Sequence, residues 1–150
     1  MQSIIDSPLF TQGLRHLNAV NGIRLGLQHL KRGPEFWYRG GYVRLHGQSD
    51  RARMSDAFQT PDKCSACGWG AARLGSVMSC GINDYTAEEL LDDALRASHP
   101  SDNWPTFNDD RRTTYEVMLE VYEKCYLLVL ERFGLPADWN PNHPEENPDA

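Results

Sequence analysis

The sequence predicts a single, mainly α-helical domain with room for one short β-hairpin and an extended acidic C-terminal tail. Three observations lead there. The chain has 150 residues, the length of one ordinary domain with no space for a second core and a linker. Its apolar residues recur at steps of three and four over long stretches, the spacing of one helical face. Its composition, 40% hydrophobic and 24% charged, is globular and excludes collagen-like, coiled-coil and disulfide-knot classes. A chain this long buries roughly 68–70% of the surface its unfolded form exposes, so neither disulfide nor metal is required for folding. The expected division is a helical domain over 1–134 and a tail over 135–150.

The elements follow in order. Ser7-Pro8 opens the first helix, serine as cap and proline at the first helical position. Phe10, Leu14, Leu17, Val20, Ile23, Leu27 and Leu30 form its apolar stripe, and Gly33-Pro34 ends it. Asn21-Gly22 and Gly26 interrupt it: either two short helices meet there, or the glycines admit another element at close range. Phe36–Leu45 alternates loosely around Gly40-Gly41, the pattern of a short hairpin. Residues 46–62 are polar and read as loop. Cys64, Cys67, Ala71, Leu74 and Met78 fall on one helical stripe ended by Gly81. Thr86 and Glu89 have capping-box spacing at the head of a helix with Leu90, Leu91, Ala94 and Leu95 inside, closed by His99-Pro100. The last helix starts near Arg112-Thr113 and runs to Phe133, stopped by Gly134. Val117, Met118, Val121, Tyr122, Cys125, Leu128 and Val129 are its expected inner face, and Glu120–Lys124 is a favourable pair on its outer one. Beyond Leu135 come four prolines and four acidic residues with no Lys or Arg, a solvated segment by composition.

Charge separates along the chain. The first fifty residues carry a net +3, the next fifty −2 and the last fifty −7, giving −6 in total. Such asymmetry is met by intramolecular pairing or by a partner-facing patch of one sign. No run approaches 18 apolar residues, so no membrane association is expected. The N-terminus has neither the basic nor the apolar region of a signal peptide, which points to the cytoplasm and reduced thiols.

Four constellations have chemical potential. Cys64-Ser-Ala-Cys67-Gly, with Cys80 farther on, has the turn spacing of half a zinc site, and Cys125, His99 or His46 would have to complete it. The competing reading is that these are small buried apolar residues. No βαβ pattern surrounds the pair, which argues against a thioredoxin-like use. Secondly, a cysteine at a helix N-terminus has a lowered pKa, making Cys67 or Cys64 a candidate nucleophile. None of the five histidines, His16, His29, His46, His99 and His143, sits in a motif that marks it as the base, and His16 and His29 read as surface or boundary residues. Thirdly, Asn108-Asp109-Asp110-Arg111-Arg112 precedes the last helix. Capping and dipole stabilisation explain these residues, with cation binding at Asp109 and Asp110 or anion binding at Arg111 and Arg112 as the functional alternative. Fourthly, Arg24, Lys31, Arg32, Arg39, Arg44, Arg51 and Arg53 interleave with Trp37, Tyr38 and Tyr42, the mixture that holds single-stranded nucleic acid. The acidic pI of about 5.3 weighs against that use.

Cys67-Gly68-Trp69-Gly70-Ala71 and Phe107-Asn108-Asp109 followed by Arg112-Thr113-Thr114-Tyr115-Glu116-Val117 together resemble two signatures of a family of small actinobacterial and phage domains of unknown function. The likeness covers about residues 64–130. It departs in Phe107, where the family has tryptophan, and in a gap one residue shorter before Arg112; Cys64 and Cys80 lie outside the pattern. The resemblance implies a compact, mainly helical domain, is compatible with a phage or mobile-element origin, and supplies no activity.

The resulting expectation is a small non-catalytic cytoplasmic binding protein, such as a phage accessory or inhibitor protein acting on a macromolecular complex. A protein partner comes first and nucleic acid second, through Asn108, Asp109, Asp110, Arg112, Arg39, Trp37 and Tyr38, with no cofactor. The alternatives are a zinc-stabilised module using Cys64, Cys67 and Cys80, and a cysteine-dependent enzyme centred on Cys67.

Overall fold

The computed structural model describes residues 8–45, 57, 59–81 and 85–141. Its helices, in chain order, are α1 (Pro8–Leu30), α2 (Gly68–Cys80), α3 (Thr86–Leu95), α4 (Trp104–Asp109) and α5 (Tyr115–Arg132). Two three-residue strands, β1 (Val43–Leu45) and β2 (Cys64–Ala66), pair antiparallel with Val43 opposite Ala66 and Leu45 opposite Cys64. The domain is mainly α. The Ser7 cap, His46, Arg51, Arg53, His143 and the tail beyond 141 fall outside the described residues.

The interruptions in α1 are resolved by packing. The helix is continuous through Gly22 and Gly26, and α2 lies against it there. A side chain on Gly22 would overlap Ser76, one on Gly75 would overlap the Gly22 carbonyl, and one on Gly26 would come 2.5 Å from the Tyr122 hydroxyl and 2.9 Å from the Ala71 carbonyl oxygen. Glycine therefore brings two backbones together at a distance no other residue allows. Tyr122 seals the seam from α5, donating a 2.9 Å hydrogen bond to the Ile23 carbonyl. Val20, Ile23 and Leu30 are fully buried, as are Leu74, Leu91, Trp104 and Met118. Leu14 and Leu17, placed on the buried stripe by periodicity, are exposed instead.

The β pair is not formed where the aromatic stretch suggested. Residues 36–45 do not fold back on themselves across Gly40-Gly41; β1 pairs with a strand twenty residues on. That strand contains Cys64, so the helical stripe begins later than its spacing implied. Cys67 is the N-cap of α2, and its sulfur accepts from the Gly70 amide at 3.3 Å. Gly81, at φ 74°, closes this helix in the left-handed conformation. Met78 is exposed. Thr86 is the first residue of α3 rather than its cap; Tyr85 holds the cap position without a side-chain bond.

Helix α4 has too few residues for periodicity to register. Asn103 caps it, accepting from the Thr106 amide at 3.0 Å, with Pro105 in the first turn. This helix changes the roles of Asp109 and Asp110, which stand at the C-terminus of α4 and not at the positive end of α5. Thr114 caps α5 by accepting from the Val117 amide. Within α5, Val117 and Leu128 are exposed, while Tyr126 and Leu130 take the buried positions. His29 is buried as well, its Nε2 2.7 Å from the Cys64 carbonyl oxygen. At the start of the tail Leu135 and Trp139 are half-buried against the core while Ala137 and Asp138 are exposed, and the Leu135 amide donates to the Leu130 carbonyl at 2.9 Å. Among the described residues no helix is long and apolar enough to cross a membrane.

Candidate functional site

The backbone from Trp37 to Tyr42 forms an arch without regular secondary structure, and β2 runs beneath it. Trp37 makes a parallel bridge to Ala66, and the Tyr38 amide donates to the Ala66 carbonyl at 3.0 Å. At the other foot the Cys67 amide donates to the Tyr42 carbonyl, also at 3.0 Å. The single step from Ala66 to Cys67 therefore anchors both ends of the arch.

Glycine at two positions of α2 makes room for this arrangement. A Cβ on Gly70 would overlap the Tyr42 carbonyl oxygen, and one on Gly68 would overlap the Trp104 indole. The Cys67-Gly-Trp-Gly-Ala run is thus a docking strip, with Gly70 beneath the arch and Gly68 beneath α4. Gly40, at φ 90°, is the turning point of the arch and needs a conformation that residues with side chains rarely adopt.

Asn108 clasps the arch from α4. Its side chain is completely buried. Its Oδ1 accepts from the Trp37 indole at 2.7 Å, and its Nδ2 donates to the Tyr38 carbonyl at 3.0 Å and to Asp109 Oδ1 at 3.1 Å. Asp109 Oδ1 also accepts from the Gly40 amide at 3.0 Å. A buried side-chain amide whose oxygen and nitrogen are both used is well satisfied, and removing it would leave other buried groups without partners. Arg39 adds an outer tie: its guanidinium lies 4.6 Å from the Trp37 ring centre and donates to the Thr113 carbonyl.

Five of the seven binding residues expected from sequence, Trp37, Tyr38, Arg39, Asn108 and Asp109, meet in this network. Asp110 and Arg112 lie beside it and pair with each other at 3.0 Å. Arg112 beside Asp110 holds its carboxyl down at about 2. Among the described residues expected as a nucleic-acid comb, three arginines lie over aromatic rings of the same stretch. Arg32 stacks on Phe36 and Arg44 on Tyr38, and the buried Arg24 donates to Asn21 at 2.8 Å.

Between the arch and α4 lies a cleft of about 140 Å³ lined by Gly40, Gly41, Tyr42, Cys67, Pro105 and Asp109. Tyr42 stacks on Trp69 at 5.7 Å between ring centres, and Trp69 donates to Asp92 at 3.1 Å. Farther along, Arg73 meets the buried Glu88 at 3.6 Å, linking α2 to α3. Sequence reading missed this pair, because the two residues are fifteen positions apart on separate helices. Desolvation pushes the Tyr42 hydroxyl above its ordinary pKa, and the Glu88 charge adds to the effect.

The cysteines are dispersed. Cys64, Cys67 and Cys125 are buried free thiols. Cys67 caps the first turn of α2 while Cys80 ends the same helix, roughly 20 Å away at 1.5 Å per residue. Two sulfurs on one tetrahedral zinc lie ~3.8 Å apart, so the expected Cys64, Cys67 and Cys80 set is not brought together around one ion. Among the described residues no group of three or more His, Cys, Asp or Glu could hold a metal. Burial pushes the Cys67 thiol up to about 12, against the lowering effect of the Gly70 and Trp69 amides. The helix N-terminus that suggested a reactive thiolate is thus outweighed by desolvation.

Comparison of the chain with protein-family models, with curated proteins and with solved structures finds no match in any of the three. The functional reading therefore rests on geometry.

Proposed function

We propose that the protein is a non-catalytic binding domain that engages a protein partner through the arch at 37–42 and the adjoining end of α4. The observation that carries this reading is the Asn108 clasp. It fixes an irregular, glycine-containing loop in one conformation while Arg39, Gly40 and Tyr42 remain exposed. A loop ordered before binding avoids the entropy loss that a mobile loop suffers on binding. Two further facts support binding over catalysis. Asp109 is already engaged by the Gly40 amide, and a thiol with a pKa of about 12 is protonated at neutral pH. The net −7 of the last fifty residues favours a basic partner surface. Occlusion of such a surface, as by a phage accessory or inhibitor protein, is the role this size and charge asymmetry suit.

The test is selection from a random displayed peptide library on the 150-residue chain and on Tyr42→Ala, with circular dichroism confirming that both are folded. Enrichment of Lys/Arg-rich peptides on the first and its loss on the second is the expected result. No enrichment, or enrichment indifferent to Tyr42, contradicts the reading. Alkylation provides a separate check on catalysis. Native Cys67, buried and with its thiol pKa pushed up by desolvation, should react at pH 8 far more slowly than an exposed thiol of ordinary pKa, because less of it is thiolate. Rapid, selective labelling of Cys67 would instead favour a cysteine enzyme.

A further inference from the structure

We infer that the cleft between the arch and α4 is an anchor pocket for a primary alkylammonium group, such as the end of a partner's lysine side chain. This inference rests on the binding role proposed above and gives it a chemistry. Among the described residues six line the cleft, and Asp109 is the only one of them that is charged. Of the cations close to it on the chain, Arg39 is committed to the Trp37 ring and the Thr113 carbonyl and Arg112 to Asp110, and Arg111 is exposed and not among the residues lining the cleft. Among the described residues Asp109 itself meets neutral donors, the Gly40 amide and the Asn108 side chain, and both use Oδ1. A carboxylate facing a cleft without a cationic lining residue favours a positive group there, and a charge-assisted hydrogen bond to it is stronger than a neutral one. The remaining lining is an aromatic ring, a thiol, a proline and two glycines, which suits an alkyl stem.

Size fits the same ligand. At ~10–15 Å³ of such space for each water-sized group, a cleft of about 140 Å³ has ample room for the outer part of a lysine side chain. Tyr42, backed by Trp69, supplies an aromatic wall of the kind to which cations are attracted.

n-Butylammonium is the probe, with butanol and butyrate as neutral and anionic controls of the same chain length. Amide chemical shifts of Gly40, Gly41 and Tyr42 in the 150-residue chain give the readout. Saturable shifts are expected with butylammonium and responses at least ~10-fold weaker with either control, the scale of a charged over a neutral contact. Asp109→Asn keeps an oxygen for the Gly40 amide, so the arch should persist while affinity falls by about tenfold or more. Glu131→Gln, in the last turn of α5 and outside the cleft lining, should change affinity by less than about twofold because salt screens a charge that far along the helix. Equal shifts with butanol, no shifts, or binding unaffected by Asp109→Asn would each overturn the inference. The broader reading fails separately: peptide enrichment that requires Tyr42, without butylammonium binding, sinks only this pocket, whereas loss of both sinks the binding domain as well.

Discussion

The seam between α1 and α2 and the arch at 37–42 are held by opposite means. At the seam, Gly22, Gly26 and Gly75 bring two helix backbones into contact, and nothing but the absence of side chains makes that possible. The arch packs through two rings, Trp37 against the core and Tyr42 on Trp69, and is otherwise held by hydrogen bonds that converge on one buried amide, Asn108. Shape complementarity gives a region that tolerates no added atom. A polar clasp gives a region that one deletion can loosen while the core survives. The first arrangement suits a scaffold and the second a surface that must be both exposed and ordered.

Substitutions in the two regions should therefore fail differently. Gly75→Val is the largest expected effect: its side chain would collide with the Gly22 carbonyl, costing on the order of 4–5 kcal/mol, enough to unfold a marginal domain. Urea denaturation followed by circular dichroism measures it, and a loss below about 1 kcal/mol would show that the helices can separate cheaply. Asn108→Ala should cost about 2–4 kcal/mol, because it leaves the Trp37 indole and the Tyr38 carbonyl without their partner. Its signature is local: the helical signal persists while the arch amides lose protection. Uniform loss across all helices would place Asn108 with the core and erase the distinction between the regions.

Thr114→Ala comes next. It removes the cap of α5 and should lower stability by about 1 kcal/mol, with little effect on either region. Asp110→Asn is the smallest. The pair with Arg112 is exposed, so the urea midpoint at pH 7 should not move measurably. Its effect belongs to acid conditions. The Asp110 carboxyl is held below its ordinary 3.8, at about 2 in the folded chain, so whatever it contributes is complete above pH 4 and disappears as pH falls toward 2. An acid-unfolding curve identical in wild type and variant would mean that the pair contributes nothing even there.

The seam was half legible in the sequence and the arch was legible by its residues alone. Gly22 and Gly26 stood out because they interrupt an apolar period, yet periodicity cannot distinguish a break from a close approach. That distinction depends on what packs opposite, and Gly75 is fifty residues away. Leu14, Leu17, Val117 and Leu128 show the same limit: helical spacing identifies a stripe, and tertiary packing decides how much of it is covered. Trp37, Tyr38, Arg39, Asn108 and Asp109 could be picked out by residue type, but their meeting required α4, whose six residues carry no period. The end of that helix also explains why a capping role for Asp109 and Asp110 was expected at the wrong helix. Of the zinc constellation, only the Cys-x-x-Cys spacing was visible. What separates Cys67 from Cys80 is the length of the helix between them.

The central claim is that the arch is ordered before any partner arrives. Amide hydrogen exchange of the free protein tests this most directly, read at Tyr38, Gly40 and Cys67, whose amides bond to Ala66, Asp109 and Tyr42. The account predicts that all three are protected in wild type, and that Asn108→Ala releases Gly40 and Tyr38 while the α1–α2 seam keeps its protection. Exchange of all three at the rate of an unstructured peptide in the wild-type protein would contradict it.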